Sequence, residues 1–558
     1  MKSLTIFSKT AAAFLFFILL GVSSCKESFL DEKPLDRFSP ENLLTNKSGF
    51  ETVIVAIHKA AREERTLDRP DQMGIGTDVS TSGVADGRFM KDYKLVLPND
   101  QIVTYYWDWA YAGMLKNCNL VITRSEKPGI DWTEAEKNAI VAEAKFFRAF
   151  TYNVLVNLFG GVPIVDAELT QPRFDFKRAT RLEVLQFIRT DLEFAIQHLP
   201  NVENAATKDG RIFKAAALHL LSEVYISLGR ETKDATFYDK SIEAATKVID
   251  GSAGQYKLMT ERFGNISRQG DVFSDLFWTN QQNRASGNLE TIWVVQYEYL
   301  TVGGAEQMNH DMRWWGPQFE NIRSPDNKRI LVNDSLGRSQ GGNRPTNYFF
   351  YDIWKDKNDI RNSKHNIRRE WYYNDPTSAY FKKKAKYVVV GGKAFIADEA
   401  GKATTIAVDT LRWFYPMIRK IEGVLPQPIS GRTNNDQIRM RLAETYLLRA
   451  EAYVHKGMNA QAAADVNVVR ARAKAQSALA SEMSLDYILD ERARELIIEE
   501  ARRRTLVRLG LLYERAVRYN WDAKATMQPF NELWPIPQKA IDANRDVKLP
   551  QNPGYAGS

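Results

Sequence analysis

Two parts of this chain share a pattern that leaves few folds open. Phe213 to Gly229 (FKAAALHLLSEVYISLG) is followed by Phe237 to Ile249, and Ile438 to Gly457 (IRMRLAETYLLRAEAYVHKG) by Ala460 to Ala473. Each first segment carries small residues and a Tyr ahead of a closing Gly, and each second segment is rich in Ala. Small residues let paired helices approach closely, and each pair covers about 34–37 residues, the size of a tetratricopeptide repeat. Neither pair matches the repeat pattern in full, and a long stretch separates them. The expectation is therefore degenerate, dispersed repeats, with an ordinary helical hairpin as the alternative.

Helical signals dominate elsewhere too. Phe50 to Arg65, Gln101 to Arg124, Trp132 to Phe159 and Thr180 to His198 each read as one helix. In the third, Ile140, Ala144, Phe147, Tyr152 and Leu155 recur near 3.6 spacing. Thr133-Glu134-Ala135-Glu136 opens it as a capping box, and Gly160-Gly161-Val162-Pro163 stops it. The stretch 252–435 differs: it is rich in Gly, Asn, Asp, Trp and Tyr, with short β-like runs. Thr291 to Tyr299 is one, and Tyr387 to Val390, Gly391-Gly392 and Lys393 to Ala397 form a hairpin signal. The predicted architecture is mostly α. A tetratricopeptide-like scaffold (41–251 and 436–558) brackets a loop-rich, aromatic-rich variable lobe (252–435) with short β-hairpins. Loops on a rigid frame are where binding residues concentrate.

The N-terminus carries an address. Lys2 and Lys9 precede the apolar run Ala11 to Leu20, and Val22-Ser23-Ser24-Cys25 follows at once. This order predicts a signal peptide over 1–24. Its apolar run falls short of the roughly 20 residues that span a bilayer. An apolar residue, two small ones and a Cys resemble the bacterial lipobox, which implies lipid attachment at Cys25. Two or three acyl chains anchor stably where one binds marginally. A plain cleaved signal, with Cys25 an ordinary residue, is the alternative. Residues 25–40 read as a lipidated polar tether.

The 558 residues carry a net charge of +7, and residues 1–24 hold two lysines and no acid, so the remainder stays modestly basic. No Lys/Arg block interleaved with aromatics argues for nucleic acid. Lys382-Lys383-Lys384 and Arg502-Arg503-Arg504 read as solvated faces. With Cys25 lipidated, Cys118 has no disulfide partner, and its apolar helical setting predicts a buried core thiol. The six histidines form no HExxH, and no GxSxG occurs. No metal site, cofactor or catalytic residue is expected. Acidic residues are plentiful, so a glycosidase carboxylate pair stays open as an alternative.

Four further segments stand out: Phe29-Leu30-Asp31-Glu32-Lys33-Pro34 beside the anchor, AEAKFFRAFTYNVLVNLFGGVPI over 142–164, ERARELIIEEARRRTLVRLG over 491–510, and LWPIPQKAIDANRDVKLPQNPGY over 533–555. With the lipobox, they resemble the SusD/RagB family of Bacteroidetes outer-membrane lipoproteins, in the right order over essentially the whole chain. Many members have Glu-Gly-x-Arg-x-x-Asp-Leu in the late helix. Here the Gly position is Glu500 and the Asp position Thr505, while Glu499, Arg502, Leu506 and Arg508 keep the pattern.

The resemblance implies four tetratricopeptide-like helix pairs and a ligand site in the variable lobe. It implies that the chain faces the cell exterior, binds a nutrient, usually an oligosaccharide, and caps a SusC-like TonB-dependent transporter, with no chemistry done on the ligand. Peptide-binding members exist, so a peptide ligand stays open, as does a purely structural role.

Sugar binding calls for exposed aromatic faces and planar polar side chains. Two places supply them. In the polar loop Gly76 to Tyr93, which borders the ligand cleft in the family, Asp78 and Arg88 are the candidates. In the lobe they are Trp278, Asn283, Arg284, Asn309, Arg313, Trp314 and Trp315. Two adjacent Trp in a Gly/Pro-bounded loop are expected to leave one exposed. Trp107, Trp109 and Trp534 are expected in the core, the last as a plug under the C-terminal tail, and Arg492, Arg494, Arg502 and Arg503 on solvated or interfacial faces.

Overall fold

The computed structural model describes residues 39–66, 74–84, 89–202, 209–301, 304, 309–333, 336–426 and 430–556. Cys25 and Arg88 lie outside the described residues. The longer helices are α1 (Lys47–Thr66), α2 (Gln101–Asp108), α3 (Lys116–Arg124), α4 (Glu134–Phe159), α5 (Arg181–His198), α6 (Lys214–Thr232), α7 (Thr236–Ile249), α8 (Leu442–His455), α9 (Asn459–Arg472), α10 (Leu485–Leu496), α11 (Arg502–Leu509) and α12 (Leu512–Tyr519).

Local chemistry sets the boundaries. The Glu136 amide donates to Thr133 Oγ1 at 3.2 Å and the Thr133 amide to Glu136 Oε2 at 2.9 Å. Thr180 and Glu183 cap α5 in the same way. Gly160, at φ +74°, ends α4 in a conformation that favours glycine. The single helix expected over Gln101–Arg124 is interrupted by a π-helical stretch, Trp109–Leu115.

Each helix packs on the next through α4, α5, α6 and α7, and α7 then packs on α8, which pairs with α9. The two helix pairs read from the sequence are thus neighbours in space, and the fold is a mostly α, tetratricopeptide-like stack. One end of the second pair corrects the expectation: Gln437–Arg441 is a strand, and the helix begins at Leu442.

That strand, β9, pairs antiparallel with β2 (Thr291–Val295). Three further sheets are small and antiparallel: β1 (Ser80–Thr81) with β3 (Arg344–Pro345), β4 (Ile367–Arg368) with β8 (Met417–Ile418), and a meander of β5 (Tyr387–Val390), β6 (Lys393–Ala397) and β7 (Ala403–Ala407). The expected hairpin is present and has a third strand.

The largest apolar cluster runs through α1–α6 and ends on the tail, where Trp534 is fully buried. Its ring sits edge-on to Phe89, Tyr106 and Phe159. The tail folds back as expected: the Gln551 side chain exchanges two hydrogen bonds with the Ile536 backbone, and Asn552 Nδ2 reaches the carbonyls of Phe159 and Trp534. Trp107, Trp109 and Cys118 are buried, and burial pushes the Cys118 thiol well above its ordinary range.

The arginine-rich segment departs furthest from expectation. Arg492, Arg494, Arg502, Arg503 and Arg504 are all buried, not solvated. Arg492 pairs with Glu500 at 2.6 Å and Glu444 at 2.7 Å, Arg504 with Glu64 at 2.9 Å, and Arg503 donates to the Asn531 carbonyl at 2.6 Å. Buried charge is tolerated where it is paired or hydrogen-bonded: Arg492, Arg494, Arg502 and Arg504 have carboxylate partners, and Arg503 donates to neutral oxygens. Lys382–Lys384 are exposed, as expected.

Candidate functional site

The expected ligand residues scatter. Asp78 is completely buried. Arg502 reaches its carboxylate at 2.7 Å and Arg515 at 2.8 Å. Burial alone would raise its pKa, but the two guanidiniums outweigh it and hold the carboxyl at about 2. It is an interior counter-ion, with no oxygen left for a sugar.

Trp314 and Trp315 correct the reasoning about adjacent tryptophans. They lie on the helical turn Asp311–Trp315, where neighbouring side chains diverge, and both are buried, at 8% and 7% exposure. They belong to an apolar cluster of the lobe with Phe319, Phe349, Trp371 and Met417. Trp315 also lies against Gly74, where a Cβ would come within 3.0 Å of its ring.

Asn309 is buried; its Nδ2 donates to the Asn435 carbonyl at 2.9 Å, and its backbone bridges Thr433. Arg313 donates to the Ser430 carbonyl at 2.9 Å. Arg284 turns to the carbonyls of Gln255 and Leu289, over the Tyr256 ring. Trp278 is half-buried, with the Arg268 guanidinium 4.2 Å from its ring centre.

Asn283 is the expected residue that faces open space. It lines a cleft of about 1050 Å³ between the outer face of α1, the loop after β2 and the approach to β9. Val55 and Lys59 stand exposed on the α1 wall. Opposite, Asn283 Nδ2 donates to Asp436 Oδ2 at 2.5 Å and Gln296 Nε2 to Asn283 Oδ1 at 3.2 Å. The Tyr297 amide donates to Asp436 Oδ1 at 2.7 Å. Asp209 accepts the amides of Arg284 and Ala285 at the rim.

Burial pushes the Asp436 carboxyl up to about 6, and the charges of Glu298 and Asp209 add to this against the pull of its two hydrogen bonds. Asn280, Asn434, the rings of His58, Tyr297 and the half-exposed Tyr299, and the cations Lys59, Arg62 and Arg211 complete a lining of planar amides, carboxylates, cations and rings. That set matches a ligand dense in hydroxyls, which both donate and accept.

The α1 wall and Gln296–Tyr299 were not anticipated from the sequence. The signal available was the switch from a β-like run (Thr291–Val295) to alternating polar residues at Gln296 and Glu298.

A shallower shelf lies on the lobe, where Tyr372 and Phe381 are exposed beside Leu331, Asn333 and Asn374. Asn374 is fixed by two hydrogen bonds to the Leu331 backbone. An exposed aromatic flanked by amides is a surface on which a sugar ring can stack.

Among the described residues, no group of three or more His, Cys, Asp or Glu could hold a metal ion, and no helix is long and apolar enough to cross a membrane.

Comparison with known proteins gives one consistent picture. The SusD family model matches residues 346–555, and a model described as starch-binding associating with outer membrane matches residues 28–226. The starch-binding protein SusD of Bacteroides thetaiotaomicron is 26% identical over 474 residues, 80% of this chain and 78% of the relative. The SusD-like protein P2 of Formosa agariphila is 23% identical over 587 residues, 96% and 98% of the two chains.

Among solved structures, a SusD homolog from Bacteroides thetaiotaomicron has a TM-score of 0.70 at 19% identity, over 93% of this chain and 99% of that one. A laminarin-binding SusD-like protein gives 0.65 at 22%, over 92% and 100%. Surface glycan-binding protein A from Bacteroides thetaiotaomicron, in complex with laminarihexaose, gives 0.67 at 20%, over 91% and 100%. At these identities the structural likeness establishes the fold.

Proposed function

The chain belongs to the SusD family, and on that premise we propose that it binds an oligosaccharide or polysaccharide nutrient at the bacterial outer membrane and passes it to a SusC-like TonB-dependent transporter. The observation that carries this reading is the cleft of about 1050 Å³ in which Asn280, Asn283, Gln296, Asn434 and Asp436 converge. Relatives described as binding starch, laminarin and laminarihexaose support the ligand class.

The protein acts as a binder rather than an enzyme. Both oxygens of Asp436, the carboxylate with the raised pKa, already accept hydrogen bonds from Asn283 and Tyr297. They hold the cleft wall in shape, and a general acid would need one of them turned to the ligand. The outer membrane is the location given in the matched family description. A lipid on Cys25 would hold the chain there, with the ligand-binding body facing outward.

The test is an array of glycans and peptides probed with the chain from Lys26 onward, paired with recovery of the tagged full-length chain from membranes. Glycan binding together with co-purification of a large β-barrel is the expected result. Binding to peptides alone would move the ligand class to peptides, and release of reducing ends from bound glycans would make the protein an enzyme.

A further inference from the structure

One strongly apolar groove, of about 430 Å³, lies apart from the ligand cleft. Trp107, Tyr111 and Leu120 form its floor from α2, the π-helical stretch and α3. Leu169 and Phe174 come from the extended segment before α5, and Ala540 from the short helix Gln538–Ala543. Leu169 is 46% exposed. An open apolar concavity of this kind is characteristically covered by something.

The chain itself points to the occupant. The described residues begin at Ser39, and Pro40 already lines the groove. The next residue is fastened there: Arg124 Nη2 donates to Glu41 Oε1 at 2.8 Å, while the same guanidinium holds Glu168 of the groove wall at 2.7 Å. The described chain therefore starts beside this groove.

The preceding residues suit it. Ser28 to Phe38 reads SFLDEKPLDRF, with Phe29, Leu30, Leu35 and Phe38 as apolar residues in a polar tether. Asp31 and Glu32 follow the first apolar pair directly, and the groove rim carries exposed Lys116 and Arg173. Ten residues from Phe29 to Ser39 span up to about 33 Å when extended, ample to lay Phe29 and Leu30 along the groove.

We propose that the groove is the docking site of the chain's own N-terminal segment, with the Phe29-Leu30 side chains seated between Trp107, Leu120 and Leu169. The docking depends on neither the ligand reading nor the lipid. Its consequence does involve the lipid: four residues from Cys25 to Phe29 reach only about 13 Å. A docked tether would thus fix which face of the body meets the membrane, instead of leaving it on a long leash.

Proteolysis tests this directly in the chain from Lys26 onward, using a glutamyl endoprotease that cuts after Glu32. Three proteins are compared: the unmodified sequence, Phe29→Asp/Leu30→Asp, and Leu169→Lys. The last leaves the cleavage site untouched, and its exposed position spares the fold, which an unchanged thermal midpoint verifies. The expected result is cleavage at least tenfold faster in both variants. Equal rates in all three would overturn the proposal. Equal rates with a concentration-dependent dimer that Leu169→Lys abolishes would overturn it too, and would give the groove to a second copy of the chain.

Discussion

Arg502 lays Nε and Nη2 against the two carboxylate oxygens of Asp78, at 2.9 and 2.7 Å, and so ties together residues 424 positions apart. Arg515, from α12, shares the same carboxylate at 2.8 Å. Asp78 thus bridges an early loop to two late helices, while Glu500 also pairs with Arg502 and Asp486 and Asp490 with Arg515.

Asp78→Asn takes one shared carboxylate from two buried guanidiniums that keep Glu500, Asp486 and Asp490, so the cost of removing one partner of a buried pair, about 3–5 kcal/mol, is the upper bound. Denaturant unfolding should show a loss of up to that size with glycan affinity preserved in the folded fraction. The pH dependence follows from the sign of the shift. A carboxyl held at about 2 in the folded chain, below its ordinary unfolded value near 4, contributes stability above that value. The contribution is lost as pH falls from about 4 through 2, so the acid-side loss of stability should be shallower in Asp78→Asn.

Trp314→Ala and Trp315→Ala should behave as core truncations. Each removes a buried indole from the lobe's apolar cluster, a change that costs about 3–5 kcal/mol. A thermal scan beside a binding titration separates the roles: a lower midpoint with intact affinity is expected. An unchanged midpoint with lost affinity would place the rings on a ligand.

These two cases show what the sequence carries and what it lacks. The ends of α4 and α5 were legible because Thr133 with Glu136 and Thr180 with Glu183 act within one turn. The dispersed helix pairs were legible through composition. The buried state of Arg502–Arg504 was not, because their partners Asp78, Glu64 and the Asn531 carbonyl come from distant or structurally irregular segments. Ile438–Arg441 read as helix because the pairing partner of this strand, Thr291–Val295, is remote in sequence. For the site, Asn283 could be picked by residue type, but its cleft depends on α1 folding against the loop after β2.

Asp436→Asn should change the stability profile in the opposite direction to Asp78→Asn. A carboxyl raised to about 6 binds its proton more tightly in the folded chain than in the unfolded one. Its contribution is full below about pH 4 and is lost as pH rises from about 4 through 6. The midpoint of Asp436→Asn relative to the parent should therefore climb over that interval and stay level above it. A difference independent of pH would show that burial does not perturb this group.

Tyr372→Ala removes an exposed ring at the lobe's shelf and should leave stability within about 0.5 kcal/mol. If sugar rings stack there, affinity for long glycans should fall about two- to tenfold, the worth of one aromatic contact. Affinity measured with short and long forms of the same glycan reads this out, because a cleft ligand too short to reach the shelf would be unaffected.

Glycan binding, as proposed, takes place in the cleft of Asn283, Gln296 and Asp436. Isothermal calorimetry of the chain from Lys26 onward, against starch oligosaccharides, laminarihexaose and any glycan found by array, tests it most directly. Saturable binding to at least one glycan is expected, with a loss of tenfold or more in Asn283→Ala/Gln296→Ala, which stays folded with a midpoint lowered only by the lost bond to Asp436. Glycan binding of equal strength in that double variant, or none in the parent, would contradict it.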